Sequence, residues 1–448
     1  MPPRFAATIA IALSIGSPLH AGPRCTALAD QTIADAGSVT AQAAGGACRL
    51  EGVLRPVPGS RIGYRLWLPE AERWTGRLQM LGNGGYSSDM PLAAMEAALA
   101  RGSAVVATDT GHTGDDPAFA RDTPQAIVDW GWRAVHSTIV AAKALTTRFY
   151  GRPPTHSYFT GCSTGGHQAM MEAQRFPADF DGIVAGAPGA NRVRLNAAFL
   201  WQYLANHRAG DDATPILDAA DLTLLHRHAL TICRSTGNAA NRWLVAPLSC
   251  QPDLQALQCK PGETFDCLSR EKLAAARRLY AGARDPATGK QFTFPYLPGS
   301  ETGWSNYWAD PRQHDQPARL GFWRWWAFTP DWTWRNADIG TTIARAQERL
   351  SSLIDATNPD LSAFRDRGGK LLQYHGLADP VVSPLDTLHY RAAVRRQLGS
   401  NGRVLAGWYR LFLIPGMGHC SGSRAPTDLA TPIESWVEDG KPPNHLLR

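Results

Sequence analysis

Short apolar runs, each followed by a turn rich in glycine, proline or aspartate, set the pattern of this chain. Ser103-Ala104-Val105-Val106-Ala107-Thr108, the aromatic run Ser157-Tyr158-Phe159, Leu371-Leu372-Gln373-Tyr374 and Tyr409-Arg410-Leu411-Phe412-Leu413-Ile414 read as strands. Helix-like stretches lie between them, at Gly166 to Arg175, Asp218 to Ala229 and Arg270 to Tyr280. Strands alternating with helices predict an α/β fold. From about Gly189 to about Asn358 the pattern changes, and helical stretches alternate with an irregular, tryptophan-dense segment.

Candidate chemistry sits at the strand ends. Gly161-Cys162-Ser163-Thr164-Gly165 follows the Ser157 strand and opens a helix, the strand–turn–helix setting in which an α/β-hydrolase exposes a nucleophilic serine. His375-Gly376-Leu377-Ala378-Asp379-Pro380 and Pro415-Gly416-Met417-Gly418-His419-Cys420 each follow a later strand. The order Ser163, Asp379, His419 is the one this fold uses. A serine hydroxyl is a weak nucleophile, so it needs His419 to take its proton and Asp379 to orient that imidazole. Acyl transfer builds negative charge on the former carbonyl oxygen, and backbone N–H groups answer it. Thr164, after the nucleophile, and Gly84 in the loop Gly82-Asn83-Gly84-Gly85 are the expected donors. Asp109 and His112 also lie at a strand end, in structural roles.

On these motifs the sequence resembles the tannase and feruloyl esterase family, which also includes the enzyme hydrolysing mono(2-hydroxyethyl) terephthalate. The resemblance spans nearly the whole chain after residue 21. It is carried further by Leu81 to Tyr86, Ala107 to His112, Ala173 to Pro177, Asp181 to Pro188 and Trp436 to Pro443. Its most specific element is a cysteine directly before the serine and another directly after the histidine, here Cys162 and Cys420. The resemblance implies an α/β-hydrolase core in two parts, 22–188 and 359–448, with a lid, 189–358, inserted between nucleophile and acid. Ser163 and Asp379 are separated by about twice what a bare core needs, which agrees with such an insertion. It also implies the disulfides Cys25–Cys48, Cys162–Cys420, Cys233–Cys250 and Cys259–Cys267, and a histidine, His375, that either lines the site or holds its loop by a hydrogen bond. Many relatives carry a calcium loop between the lid cysteines matched by Cys233 and Cys250. Here Arg234 to Arg242 contains no carboxylate, so no calcium is expected there, and no metal or other cofactor is assigned.

Composition and the N-terminus narrow the picture. The chain has 448 residues, 44% of them hydrophobic and 19% charged, ordinary for a folded protein. Its +6 formal charge is scattered without a basic run, so no nucleic-acid partner is read. Arg4, the apolar Phe5-to-Ile15 stretch and the processing-like Ser17 to Ala21 read as a secretory signal peptide over 1–21. No other stretch approaches ~18 uninterrupted apolar residues, so no membrane partner is expected after its removal. An even set of eight cysteines fits an exported, secreted or periplasmic, protein. The insertion's Trp304, Trp308, Trp323, Trp325, Trp326, Trp332 and Trp334 suit a slot for a planar acyl group, although most should form the insertion's own core. One or two should face the serine, with Trp304 a candidate.

These features imply an exported serine carboxylic-ester hydrolase acting on small aromatic esters (feruloyl, galloyl or related benzoyl), with terephthalate monoesters as an alternative within the class. The alternative outside it is a non-catalytic binder of aromatic or plant-wall compounds on a hydrolase scaffold.

Overall fold

The computed structural model describes residues 21–29, 36–233, 243–285, 288–335, 337–399 and 401–446. The expected signal peptide, except Ala21, and the Arg234–Arg242 segment lie outside the described residues.

Nine strands form one sheet: β1 (Ala36–Ala44), β2 (Ala47–Leu54), β3 (Ile62–Pro69), β4 (Arg77–Leu81), β5 (Ala104–Thr108), β6 (His156–Cys162), β7 (Gly182–Gly186), β8 (Lys370–Gly376) and β9 (Tyr409–Ile414). Their order is β1-β2-β3-β5-β4-β6-β7-β8-β9. β2 is antiparallel to both β1 and β3, and β3 is antiparallel to β5, whereas β5, β4, β6, β7, β8 and β9 pair in parallel. Parallel strands need crossover connections, and their helices cover both sheet faces, which is why β5 and β7 are buried at every position. The two-residue alternation of strand side chains then feeds two separate cores. Phe159, Ile183, Ala185 and Leu371 pack with the helices Ala134–Tyr150 and Thr164–Arg175. Tyr158, Val184, Leu372 and Tyr374 pack on the opposite face with Ile433 and Trp436 of the helix Ala430–Glu438.

This architecture is that of an α/β-hydrolase core. Between β7 and β8 the chain leaves the sheet and builds the helices Arg192–Ala205, Ala219–Ile232, Arg270–Ala281 and Ile339–Ile354 around two further apolar clusters. One of them is shared with the core, since Tyr86, Ile127 and Trp130 pack among Trp323, Trp326 and Trp334. Trp304, Trp308, Trp323, Trp326 and Trp334 are buried, and Trp325 and Trp332 partly so.

Candidate active site

All three expected catalytic residues fall just beyond the C-terminal ends of parallel strands, where open α/β sheets place their sites. Ser163 follows β6 in a turn so tight that its φ is +62°, a region a non-glycine residue occupies at a cost of ~1–3 kcal/mol. The turn holds because its flanks are minimal: a Cβ on Gly161 would lie 2.5 Å from the Gly165 backbone. Two hydrogen bonds then fasten it to the end of β7, from Ser163 N to Gly186 O (3.0 Å) and from Gly189 N to Ser163 O (3.3 Å).

From this elbow a hydrogen-bond chain runs inward. Ser163 Oγ lies 2.8 Å from His419 Nε2, and His419 Nδ1 lies 2.8 Å from Asp379 Oδ2. With Asp379 ionised, Nδ1 carries the proton and Nε2 is free to accept from the serine. Asp379 is wholly buried, and its Oδ1 accepts from the amides of Val381 (2.8 Å) and Val382 (2.9 Å). Burial alone pushes its carboxyl up, but His419 and His375 outweigh it and hold the group well below the usual carboxylate range.

His375 does not line the site. It is buried, with Nε2 3.0 Å from Val382 O and 3.2 Å from Asp379 Oδ2, and with Nδ1 2.8 Å from Thr387 Oγ1. Both neighbours of Nε2 are acceptors, so Nε2 carries a proton and donates to the back of the acid loop. Of the two roles the sequence left open for this histidine, the structure matches the loop-holding one, because β8 is buried through its whole C-terminal half and turns it inward. His375→Phe should therefore lower kcat about 10-fold with KM nearly unchanged, the effect of losing one hydrogen bond to a buried charge. Steady-state kinetics on the folded variant check this, and a raised KM at constant kcat would return His375 to the substrate.

Trp304 is likewise not at the serine. It is buried in the insertion, with Nε1 donating to Ser300 Oγ (2.8 Å) and its ring edge-on to Tyr280 at 4.8 Å. A large apolar surface with one donor is best satisfied in such a core.

Around the elbow, the loop after β4 is held by side chains on every flank. Gln168 Oε1 accepts from Asn83 N (3.1 Å), Asn83 Nδ2 donates to Thr108 O (2.9 Å), and His112 Nε2 sits 2.6 Å from Tyr86 O. Asp109 accepts from the amides of Gly63 and Gly111, so it and His112 are structural, as expected. Thr164 Oγ1 donates to Gly85 O (2.6 Å), tying this loop to the residue after the nucleophile. Among the described residues, the amides of Gly84, Gly85 and Thr164 donate to no protein acceptor. Cys162 and Cys420 are bonded beneath this arrangement, with Cα atoms 6.0 Å apart. Cys25–Cys48, Cys233–Cys250 and Cys259–Cys267 are the other bonded pairs.

Two residues near the site, Trp243 and Arg192, had no signal in the sequence, and a third, Arg319, lay with Arg312 and Arg324 in the region where a cation for an acyl carboxylate was expected but could not be placed. Trp243 packs on the histidine loop, where a Cβ on Gly416 would meet its ring at 2.5 Å. Arg319 reaches the loop after β4, its guanidinium 3.5 Å from where a Gly85 side chain would begin. Arg192 is buried behind Thr164. Among the described residues, a donor set of metal-binding type lies elsewhere, at His136, Glu172 and Asp179. Lys143 Nζ sits against Asp179 O at 2.5 Å, and burial, then Asp179, pushes the Glu172 carboxyl well up. A neutral acid beside an ammonium is poor company for a cation.

Comparison with known proteins agrees with this geometry. The family model described as tannase and feruloyl esterase matches residues 48–447. The chain is 33% identical to the mono(2-hydroxyethyl) terephthalate hydrolase of Piscinibacter sakaiensis, over 92% of this chain and 80% of that protein. It is 30% identical to feruloyl esterase B of Aspergillus niger, over 92% of this chain and 81% of the relative. The crystal structure of feruloyl esterase B from Aspergillus oryzae superposes with a TM-score of 0.86 at 25% identity, covering 95% of this chain and 92% of that one.

Proposed function

Because the chain belongs to the tannase and feruloyl esterase family of carboxylic ester hydrolases, we propose that it cleaves esters of aromatic acids through an acyl-enzyme on Ser163. The observation that carries this reading is the unbroken Ser163–His419–Asp379 hydrogen-bond chain. Ser163 Oγ attacks the acyl carbonyl as His419 Nε2 takes its proton, and Asp379 stabilises the imidazolium that results. The amides of Thr164 and Gly84 hold the oxyanion. When the tetrahedral adduct collapses, His419 returns the proton to the departing alcohol. Water then enters, His419 activates it, and the second collapse frees the aromatic acid and restores the Ser163 hydroxyl. Turnover of p-nitrophenyl acetate separates this reading from a non-catalytic binder. A panel of methyl ferulate, methyl gallate and mono(2-hydroxyethyl) terephthalate ranks the acyl groups.

A specific observation favours acyl groups bearing a second carboxylate. Of the three arginines in the tryptophan-rich segment, Arg312 is 77% exposed and Arg324 donates to Trp332 O. Arg319 alone stands beside the Gly84-Gly85 loop, near the rings of Tyr86 and Tyr307. Its Nη1 already donates to Asp115 O (2.9 Å) and lies 3.7 Å from that carboxylate, while the rest of its guanidinium keeps donors suited to a carboxylate. Arg319→Gln should raise KM for mono(2-hydroxyethyl) terephthalate at least ~10-fold more than KM for methyl ferulate. An equal change for both esters removes Arg319 from acyl recognition.

Export to a secreted or periplasmic location is part of the proposal. What supports it is the set of four disulfides, which persist in oxidising compartments. Among the described residues, no helix is long and apolar enough to cross a membrane. Cell fractionation of the full-length chain tests the location directly.

A further inference from the structure

Arg192 occupies a place that ordinary electrostatics disfavours. Its side chain is 3% exposed, and it is the first residue of the helix Arg192–Ala205, where the helix dipole opposes a positive charge. Among the described residues no carboxylate forms an ion pair with it. Asp355, an acid close enough to act on it, forms no ion pair with the guanidinium and gives its oxygens to the amides of Val193 (3.1 Å) and Arg192 itself and to the Ser351 hydroxyl. Instead the guanidinium lies over two aromatic faces, Trp130 at 4.6 Å and Tyr86 at 5.4 Å, which return part of the lost hydration. Its Nε has no partner. Gly189 makes the room, because any side chain there would begin 2.7 Å from Arg192 Nη1.

Among the described residues the guanidinium makes one side-chain hydrogen bond, and it points toward the site. Arg192 Nη2 donates to Thr164 Oγ1 (3.1 Å), and Thr164 Oγ1 donates onward to Gly85 O (2.6 Å). The hydroxyl thus joins the two segments whose amides lack acceptors, Gly84-Gly85 and Thr164. A buried cation with no carboxylate in direct contact is costly, and it is well used where negative charge appears only in the transition state. We propose that Arg192 is a positioning residue of the oxyanion site: through Thr164 Oγ1 it fixes the spacing of the two amide donors, and its charge biases that site toward the oxyanion. This rests on the serine-esterase reading above and adds a group that never touches the substrate.

The test uses p-nitrophenyl acetate with the full chain carrying Arg192→Met, Arg192→Lys, Thr164→Val or Thr164→Ser, each first shown to be folded by circular dichroism. Arg192→Met should lower kcat about 10- to 100-fold with KM within about 2-fold, because the interaction exists mainly in the transition state. Arg192→Lys, which keeps the charge, should recover part of the loss. Phenylboronic acid, which forms a tetrahedral anionic adduct on a serine, should bind more weakly by the same factor as kcat, while ferulic acid binding stays constant. Thr164→Ser, which keeps the hydroxyl, should retain at least ~10-fold more kcat than Thr164→Val, which should resemble Arg192→Met. Joining Thr164→Val to Arg192→Met should add little, since both cut one path. If Arg192→Met does not fold, the contrast between Thr164→Val and Thr164→Ser decides. A folded Arg192→Met, or in its absence Thr164→Val, with wild-type kcat and boronate affinity overturns the proposal and leaves the esterase reading intact. Wild-type turnover that survives Ser163→Ala overturns both.

Discussion

Replacing Ser163 by alanine should remove at least ~10³ of the turnover of p-nitrophenyl acetate while leaving the melting temperature within a few degrees. The substitution deletes one oxygen, and the backbone bonds that hold the elbow, Ser163 N to Gly186 O and Gly189 N to Ser163 O, do not involve it. Alanine tolerates the φ of +62° no worse than serine does, so the strain is unchanged. What disappears is the nucleophile, and with it any use for the His419 and Asp379 pair, because the three act as a unit. Residual rate should come from the amides near Thr164 and Gly84, which still polarise a carbonyl toward attack by water. The comparison requires matched circular dichroism spectra and kinetics under substrate saturation. Near-wild-type turnover in a folded variant would end the serine mechanism and favour a hydrolase scaffold whose hydroxyl is incidental.

How far the sequence could carry this reading follows from what each segment is packed against. Tyr409–Ile414 was readable as a strand to the residue, and the Ser157-Tyr158-Phe159 run lies within β6, because both are short runs rich in apolar and aromatic residues bounded by turn residues. The triad was legible for a local reason: each member sits in a turn of small residues just after such a strand. The antiparallel edge β1 to β3 escaped notice, since its half-exposed alternation mixes Arg49, Glu51 and Arg65 with Leu50 and Leu66. The tryptophan segment could be assigned a core but not an orientation. Its partners are Tyr86, Ile127 and Trp130, far away in sequence, and no local pattern announces them. The same limit explains His375, left between two roles and found behind the acid, and Trp304, placed at the substrate by composition and found inside the insertion. Arg192 shows it most sharply, because a buried arginine beside two aromatic rings looks in sequence like any helix-start arginine.

A chain with both Cys162 and Cys420 changed to alanine should lose about 100-fold in kcat even at temperatures far below its own melting point. The two sulfurs join the residue before the nucleophile to the residue after the base, 258 positions apart in sequence. Closing so long a loop stabilises by roughly 5 kcal/mol in the chain-entropy model, an upper figure because native bonds often deliver less. Stability alone would then show as a lower melting temperature with full activity below it. A second, local effect adds to this. Ser163 and Cys420 both hold positive φ, +62° and +57°, so the backbone on either side of the Ser163–His419 hydrogen bond is strained and would relax if released. Relaxation by ~1 Å lengthens the 2.8 Å contact and can cost ~100-fold in rate. Histidine-loop contacts that remain, such as Trp243 on Gly416, keep the loop near its place but do not set the serine-to-imidazole distance. The measurement is kcat at least ~20 °C below the variant's melting temperature, alongside non-reducing peptide mass spectrometry of the parent. Activity within about 3-fold of the parent there would confine the bond to stability, whereas mild reduction of the parent should reproduce the variant's loss and leave the variant itself unchanged.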